Sequence, residues 1–300
     1  LSVWTDKEVL ITGGTGYLGS HLIDHLQGQG CRKIAAFARD PHKHEELGRK
    51  YPEVRQWVGD VRDKERLGLA MEDADIVIHA AAMKSVQICE YNPADALSIN
   101  VEGAKNVLTS AYHHKCRVVF ISSDKACEPA NLYGKTKALA EHITLAYNAY
   151  RPLYSAVRYG NVMGSTGSVL PVFMEMIKQG AQKLPVTDPR ATRFWVDMED
   201  AIYLIEEALR QPPGQLVIGE HPSFRMDVLA RAFDHDWETV GLKKGEKMHE
   251  TLRSSIEGEE YTSDGNSWWL SEEEIRGKLH TLYPALAGDR RGKAIRSSGS

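Results

Sequence analysis

The sequence contains no apolar run approaching the roughly 20 residues that a membrane-crossing helix requires, so no membrane insertion is expected. Cysteine is scarce. Cys31, Cys89, Cys116 and Cys127 are scattered without Cys-x-x-Cys spacing, which argues against a disulfide framework and for a reducing, cytoplasmic setting. Neither sign of charge dominates: 37 basic against 41 acidic residues leave a formal net charge of −4, with no basis for a nucleic-acid partner. The opening residues Leu1-Ser2-Val3-Trp4-Thr5-Asp6 lack the basic and apolar regions of a signal peptide. Internal repeats and low-complexity linkers are also missing. What is present is 300 residues, 42% of them hydrophobic, enough for one large domain and a smaller lobe. Arg290 to Ser300, basic and then Ser/Gly-rich, reads as a tail.

Short β-branched runs alternate with longer amphipathic stretches over the first two thirds of the chain. Glu8–Thr12, Lys33–Ala38, Val54–Val58, Ile76–His79, Arg117–Ser122 and Leu153–Arg158 read as strands, several apolar throughout, as in a sheet covered on both faces. Tyr17–Gln29, Pro93–His114 and Tyr133–Tyr150 carry apolar residues at helical spacing. This alternation predicts an α/β fold with a doubly wound parallel sheet. After Gly160 the pattern breaks up: Gly164–Ser168 reads as a loop and Pro171–Gln179 as a short helix. Trp195–Arg210 reads as a strand end and helix, Gln215–Ile218 as a strand, and Met226–Phe233 and Ser271–Leu279 as helices.

Thr12-Gly13-Gly14-Thr15-Gly16-Tyr17-Leu18-Gly19 follows the first strand and opens the first helix. Glycines there allow a tight turn and let backbone approach a pyrophosphate lying on the helix N-terminus. The cofactor contacts expected from this end are Gly13, Thr15, Gly16, Tyr17 and Leu18. The second strand ends Phe37-Ala38-Arg39-Asp40. An acidic residue at that tip would grip the 2′-hydroxyl of NAD, and an arginine would accommodate the 2′-phosphate of NADP. Both are here, so the choice depends on register; Arg39 coming first, with Lys43 one turn on, favours NADP. Asp60 and Val61 are expected beside the adenine, and the small Ala80-Ala81-Ala82 lets a cofactor lie close.

Tyr133-Gly134-Lys135-Thr136-Lys137 places a tyrosine and a lysine one helical turn apart, ten residues after Ser123 at a strand end. A cation there lowers the tyrosine pKa and equips Tyr133 as a base near neutral pH.

With these segments in place, the chain resembles the extended short-chain dehydrogenase/reductases. Within them it is most similar to the inverting UDP-N-acetylglucosamine 4,6-dehydratases of bacterial surface-sugar pathways, such as those leading to pseudaminic acid. The resemblance runs from about Val9 to Leu270 and is carried by His79–Lys84, Ser122–Ala126, Asn131–Lys137, Arg158–Ser165, Thr192–Trp195 and Gly245–Glu250. Gln87 departs from the family's usual proline, and Lys243-Lys244 replaces an Arg-Pro, which leaves open which cation meets the pyrophosphate.

The resemblance implies a Rossmann-like sheet with a smaller C-terminal substrate-binding lobe. Residues 1–164 with 195–220 would bind NADP, residues 165–194 with 221–287 the substrate, and 288–300 would be tail. It also implies roles. Tyr133 takes the C4 hydroxyl proton, and Lys125, its pKa lowered by burial and neighbouring cations, removes the C5 proton. Asp124 protonates the C6 oxygen as water leaves, Lys137 orients the ribose and tunes Tyr133, and Ser123 hydrogen-bonds the sugar. Lys84, Asn161 and Arg193 are implied for sugar or diphosphate, Lys84 lining the cofactor as well, and Glu250 for the nucleoside. Asp124-Lys125 marks the inverting branch; retaining relatives carry Asp-Glu. The helices at 93–114 and 133–150 are those the superfamily uses to pair subunits, so a homo-oligomer is expected, a dimer or a larger even-numbered assembly such as a hexamer.

His21 and His25 stand four apart without a third ligand in view, and no metal site is expected. Cys127 reads as a packing residue and Trp268-Trp269 as an anchor of the C-terminal lobe. The competing activities are a sugar-nucleotide 4-epimerase or 5-epimerase, and a non-catalytic NADP-binding regulator.

Overall fold

Successive residues of the first strand face opposite sides of a sheet, and both sides are buried. Val9 and Ile11 pack with Leu22, Ile23, Ile34 and Val157, whereas Leu10 packs with Phe37, Val77, Val107 and Val118 on the other face. The computed structural model describes residues 2–284 and 286; the tail read at 288–300 lies outside the described residues. The first six strands all belong to the central sheet: β1 (Glu8–Thr12), β2 (Lys33–Ala38), β3 (Arg55–Val58), β4 (Ile76–His79), β5 (Arg117–Ile121) and β6 (Tyr154–Arg158). Then come β7 (Leu184–Val186), β8 (Thr192–Phe194), β9 (Leu216–Ile218), β10 (Ser223–Arg225), β11 (Trp237–Thr239), β12 (Thr251–Arg253) and β13 (Tyr261–Thr262). The central sheet is parallel throughout, in the order β3-β2-β1-β4-β5-β6-β9. Strand order reverses between β1 and β4, and a ligand crevice opens at the carboxyl ends of strands at such a switch.

The helices are α1 (Tyr17–Leu26), α2 (Pro41–Lys50), α3 (Lys64–Met71), α4 (Val86–Tyr91), α5 (Pro93–Leu97), α6 (Gly103–His114) and α7 (Leu132–Ala146). They continue as α8 (Val169–Lys178), α9 (Met198–Arg210), α10 (Met226–Ala232) and α11 (Glu272–Leu282). The strand expectations hold to within a residue, although β3 at the sheet edge is half-exposed rather than covered. The run 93–114 is interrupted by a π-helical stretch, Ser98–Glu102, where buried Asn100 is turned toward the loop after β4.

A second core surrounds Trp195. Met163, Leu170, Phe173, Leu184, Phe224, Leu229, Ile275 and Leu279 pack with it, each burial contributing about 1.5–3 kcal/mol. Three two-stranded pairings, β8–β10, β7–β11 and β12–β13, frame this part of the chain. It is fastened to the sheet by Arg158 at the end of β6, which pairs with Glu141 of α7 and, 2.8 Å away, with Glu257. The same guanidinium donates to the Leu252 carbonyl at 2.9 Å. Among the described residues no helix is long and apolar enough to cross a membrane.

Candidate active site

The turn after β1 has room for nothing larger than glycine. Gly13 has φ +74°, and a Cβ there would stand 2.9 Å from the Ala81 nitrogen; one on Gly14 would lie 2.7 Å from Ala36 Cβ. Gly16 caps α1 without a side-chain hydrogen bond, so the first amides of that helix open onto the crevice. Beside them lies a cleft of about 860 Å³ reaching from Arg39 to Glu250. A glycine cradle, free helix amides and a cleft of this size fit a dinucleotide.

Every residue expected to hold cofactor or substrate lines this one cleft: Gly13, Thr15, Gly16, Tyr17, Leu18, Arg39, Lys43, Asp60, Val61, Ala80, Ala81, Ala82, Lys84, Asn161, Arg193 and Glu250. Ser123, Lys125, Tyr133 and Lys137 line it too, whereas Asp124, only 1% exposed, lies behind them. Arg39 is exposed, its Nη1 3.8 Å from Asp60 Oδ2. Asp40 is engaged by its own helix, its Oδ1 accepting from the amides of His42 at 3.0 Å and Lys43 at 3.4 Å. Lys84 opens onto the cleft, where surrounding protein depresses its pKa.

The reactive groups collect where β5 ends. Ser123 Oγ donates to Asp124 Oδ1 at 2.9 Å, and Lys125 Nζ donates to the same oxygen at 3.1 Å. Lys125 also donates to Asn161 Oδ1 at 3.4 Å and lies 3.4 Å from Glu250 Oε1. The short turn Asp124–Ala126 rests on the first turn of α7 because Gly134 carries no side chain; a Cβ there would collide with the Lys125 carbonyl oxygen. Asn131 caps α7 by accepting from the Gly134 amide at 2.8 Å, which sets the rotation that turns Tyr133 toward Ser123.

The electrostatics of this site depart from what was expected for Lys125 and Tyr133. Burial alone would lower the Lys125 pKa, but the carboxylates of Asp124 and Glu250 outweigh it and hold Lys125 above the ordinary lysine value, as an ammonium. Burial raises Tyr133 above an ordinary phenol; Lys125 and the Ser123 hydrogen bond oppose this without overcoming it. Lys137 instead donates to the Ile121 carbonyl and lies 4.0 Å above the Phe120 ring, and burial brings it down to about 7. Glu250, expected at the nucleoside, stands beside Lys125; its Oε1 is 3.8 Å from Arg193 Nε, while its Oε2 is buried without a hydrogen-bond partner among the described residues.

Sequence reasoning missed several contributors. Buried Asn100 holds the loop after β4 through the Met83 amide at 2.8 Å and carbonyl at 3.0 Å, and binds Thr136 Oγ1 at 3.0 Å. Glu246 takes Arg193 Nη2 at 3.0 Å, and Lys247 reaches the Cys127 carbonyl at 2.8 Å, tying the C-terminal third to the reactive loop. His79 is buried beside Thr12 Oγ1 at 2.7 Å, and burial with the nearby Lys137 charge lowers it to about 3, so it is neutral. His79, Glu246 and Lys247 stood in segments that carry the resemblance but were given no role there; Asn100 needed the tertiary fold.

Residues 9–270 match the family model described as polysaccharide biosynthesis protein. The chain is 41% identical over 266 residues to the UDP-N-acetylglucosamine 4,6-dehydratase (inverting) of Campylobacter jejuni, covering 84% of this chain and 79% of that one. It is 36% identical over 273 residues to a UDP-glucose 4-epimerase of Rickettsia conorii, covering 85% and 80%. The crystal structure of Pen from Bacillus thuringiensis superposes with a TM-score of 0.88 at 33% identity, covering 93% of this chain and 98% of that one.

Proposed function

The chain belongs to the polysaccharide biosynthesis protein family, and from that membership we propose that it is an inverting hydro-lyase acting on UDP-N-acetylglucosamine. The product is a 4-keto-6-deoxy sugar nucleotide inverted at C5. The observation that carries this reading is the Asp124–Lys125 pair, 3.1 Å apart beside Ser123 at the end of β5, with Tyr133 on the first turn of α7 lining the same cleft. A 4-epimerase needs only a base at the C4 hydroxyl, whereas dehydration across C5 and C6 needs a further base and a further acid.

The glycine cradle takes the pyrophosphate of NADP, with Arg39 and Lys43 at the 2′-phosphate and Asp60 and Val61 at the adenine. Asp40, occupied as a helix cap, supports NADP over NAD. Bound there, the dinucleotide supplies the reversible hydride acceptor that oxidation at C4 and reduction at C6 require. Residues 1–164 with 195–220 carry it, and residues 165–194 with 221–287 carry the sugar nucleotide through Arg193, Lys243 and Lys244, with Lys84 and Asn161 reaching it from the first part.

Once its own proton has been lost to solvent through the open cleft, Tyr133 Oη accepts that of the C4 hydroxyl. Lys125 Nζ removes the proton at C5, made acidic by the adjacent carbonyl, and after reduction at C6 a solvent-derived proton returns to C5 on the opposite face. The C6 oxygen leaves as water with a proton from Asp124; because that carboxyl is sealed off, the proton passes through Ser123 Oγ, 2.9 Å from Asp124 Oδ1. Lys137 holds the ribose.

Incubation with UDP-N-acetylglucosamine and NADP in deuterated water, followed by proton NMR, tests this. A new C6 methyl, a 4-keto product, deuterium at C5 and L-arabino configuration are expected. A 4-keto product with C5 configuration retained would overturn the roles of Asp124 and Lys125. A C4 epimer with its C6 hydroxyl intact would establish instead the activity named for the Rickettsia relative.

A further inference from the structure

An ammonium has three N–H bonds, and three acceptors surround Lys125 Nζ. They are Asp124 Oδ1 at 3.1 Å, Asn161 Oδ1 at 3.4 Å and Glu250 Oε1 at 3.4 Å. Asp124 and Asn161 follow strands of the central sheet. Glu250 arrives from the C-terminal third, its amide fixed to Ser263 Oγ at 2.9 Å. Its side chain is 3% exposed, and one oxygen has no hydrogen-bond partner among the described residues. A buried carboxylate oxygen without a hydrogen bond costs stability.

We propose that Glu250 is a positioning residue for the reaction assigned above, holding the Lys125 ammonium against Asp124 and setting the pH at which Lys125 gives up its proton. The groups facing Lys125 are Asp124 on its own turn, Glu250 before β12, Arg193 on β8 and Tyr133 on α7. The two carboxylates favour the ammonium and Arg193 opposes it. Glu250 is the carboxylate that stays outside the chemistry.

The consequence is a paired arming step. When a proton leaves Lys125 Nζ for Asp124 Oδ1, one N–H bond breaks and one O–H bond forms. The ion pair becomes an amine and a carboxylic acid, the base for C5 and the acid for the C6 oxygen, with no proton taken from solvent. Glu250 keeps the resting pair in its charged form and opposes this transfer until substrate is in place.

This inference rests on the dehydratase reading, but its test requires no turnover. Protein carrying ¹³C at the lysine Cε atoms is titrated by NMR, with Lys125→Gln identifying the resonance. In the native protein the Lys125 signal should stay at its ammonium position across the pH range in which the fold persists. In Glu250→Gln the signal should leave that position within the same pH range, its midpoint lowered by about the 1–3 pH units that loss of an opposite charge at this distance brings. If that variant does not fold, Glu250→Asp draws the carboxylate back by one methylene and should give a smaller drop of the same sign. An unchanged Lys125 titration in the folded variant overturns the proposal, as does a native Lys125 that titrates like a free lysine. A failed dehydratase assay would leave this titration readable, and a failed titration would leave the assay standing.

Discussion

A methyl group on Gly134 would drive into the carbonyl oxygen of Lys125. The start of α7 and the turn bearing Asp124 and Lys125 are therefore in backbone contact, and the first helix turn sets where both reactive side chains stand. Gly134→Ala should lower stability by about 1–3 kcal/mol, as overpacking does, and turnover by about 100-fold through misplacement of Lys125. Dinucleotide affinity should be nearly unchanged. Thermal unfolding, turnover and dinucleotide titration on one preparation separate the three.

Lys137 supplies a proton count. Its folded pKa of about 7, lowered by burial, lies below the ordinary lysine value of 10.5. Between those values the unfolded chain holds a proton that the folded chain lacks, so its contribution to stability rises with pH across that window. A ribose that accepts from the ammonium restores the proton. Dinucleotide binding at about pH 8 should therefore take up close to one proton, and binding by Lys137→Met should take up none. Calorimetry in buffers of different ionisation enthalpy measures it; equal uptake by both proteins would remove Lys137 from the ribose.

Arg158 is almost fully buried between Glu141 and Glu257. Arg158→Met leaves two carboxylates without their cation and should cost about 3–5 kcal/mol. Glu257 is held down to about 2, chiefly by its hydrogen bond from Arg158. A depressed carboxylate contributes stability above its unfolded pKa, here 4.5, and loses it as pH falls toward about 2. Acid unfolding of Glu257→Gln should accordingly lose part of the native protein's pH dependence in that window. Denaturant titrations at several acidic pH values test it.

Arg39 and Asp40 divide two tasks at the tip of β2. Arg39→Ala should weaken NADP binding about 10–100-fold, by loss of a charge-assisted contact, and leave NAD binding nearly unchanged. Asp40→Ala removes a helix cap and should cost about 1 kcal/mol of stability without altering the NADP-to-NAD ratio. Fluorescence titrations with both dinucleotides decide; a parallel loss of both in Arg39→Ala would reject the 2′-phosphate contact.

The sheet was legible because its strands are short, β-branched and bounded by turn residues, so that β1 and β2 are found where the pattern put them. The glycine turn and the Ser123–Tyr133 spacing were legible because each is local in sequence. α2 was not, since only His44 and Leu47 of it are buried and no apolar stripe marks it; the cap Asp40 and Pro41 were its signal. The charge state of Lys125 was not legible either. It depends on Glu250, brought across the cleft by a segment whose place only the second core and the Arg158 pairing fix. Burial could be guessed from position in the chain, but the carboxylate that outweighs it could not.

The contacts from Gly245, Lys247, Glu250 and Glu257 onto residues 124–131 and 158 also bear on the order in which a ribosome delivers the parts. A nascent chain halted short of Lys243 already contains the glycine cradle, Ser123 and Tyr133. It still lacks the carboxylate that holds Lys125 and the one that closes on Arg158. The glycine turn and the reactive loop are thus synthesised before the carboxylates that pair with Lys125 and Arg158.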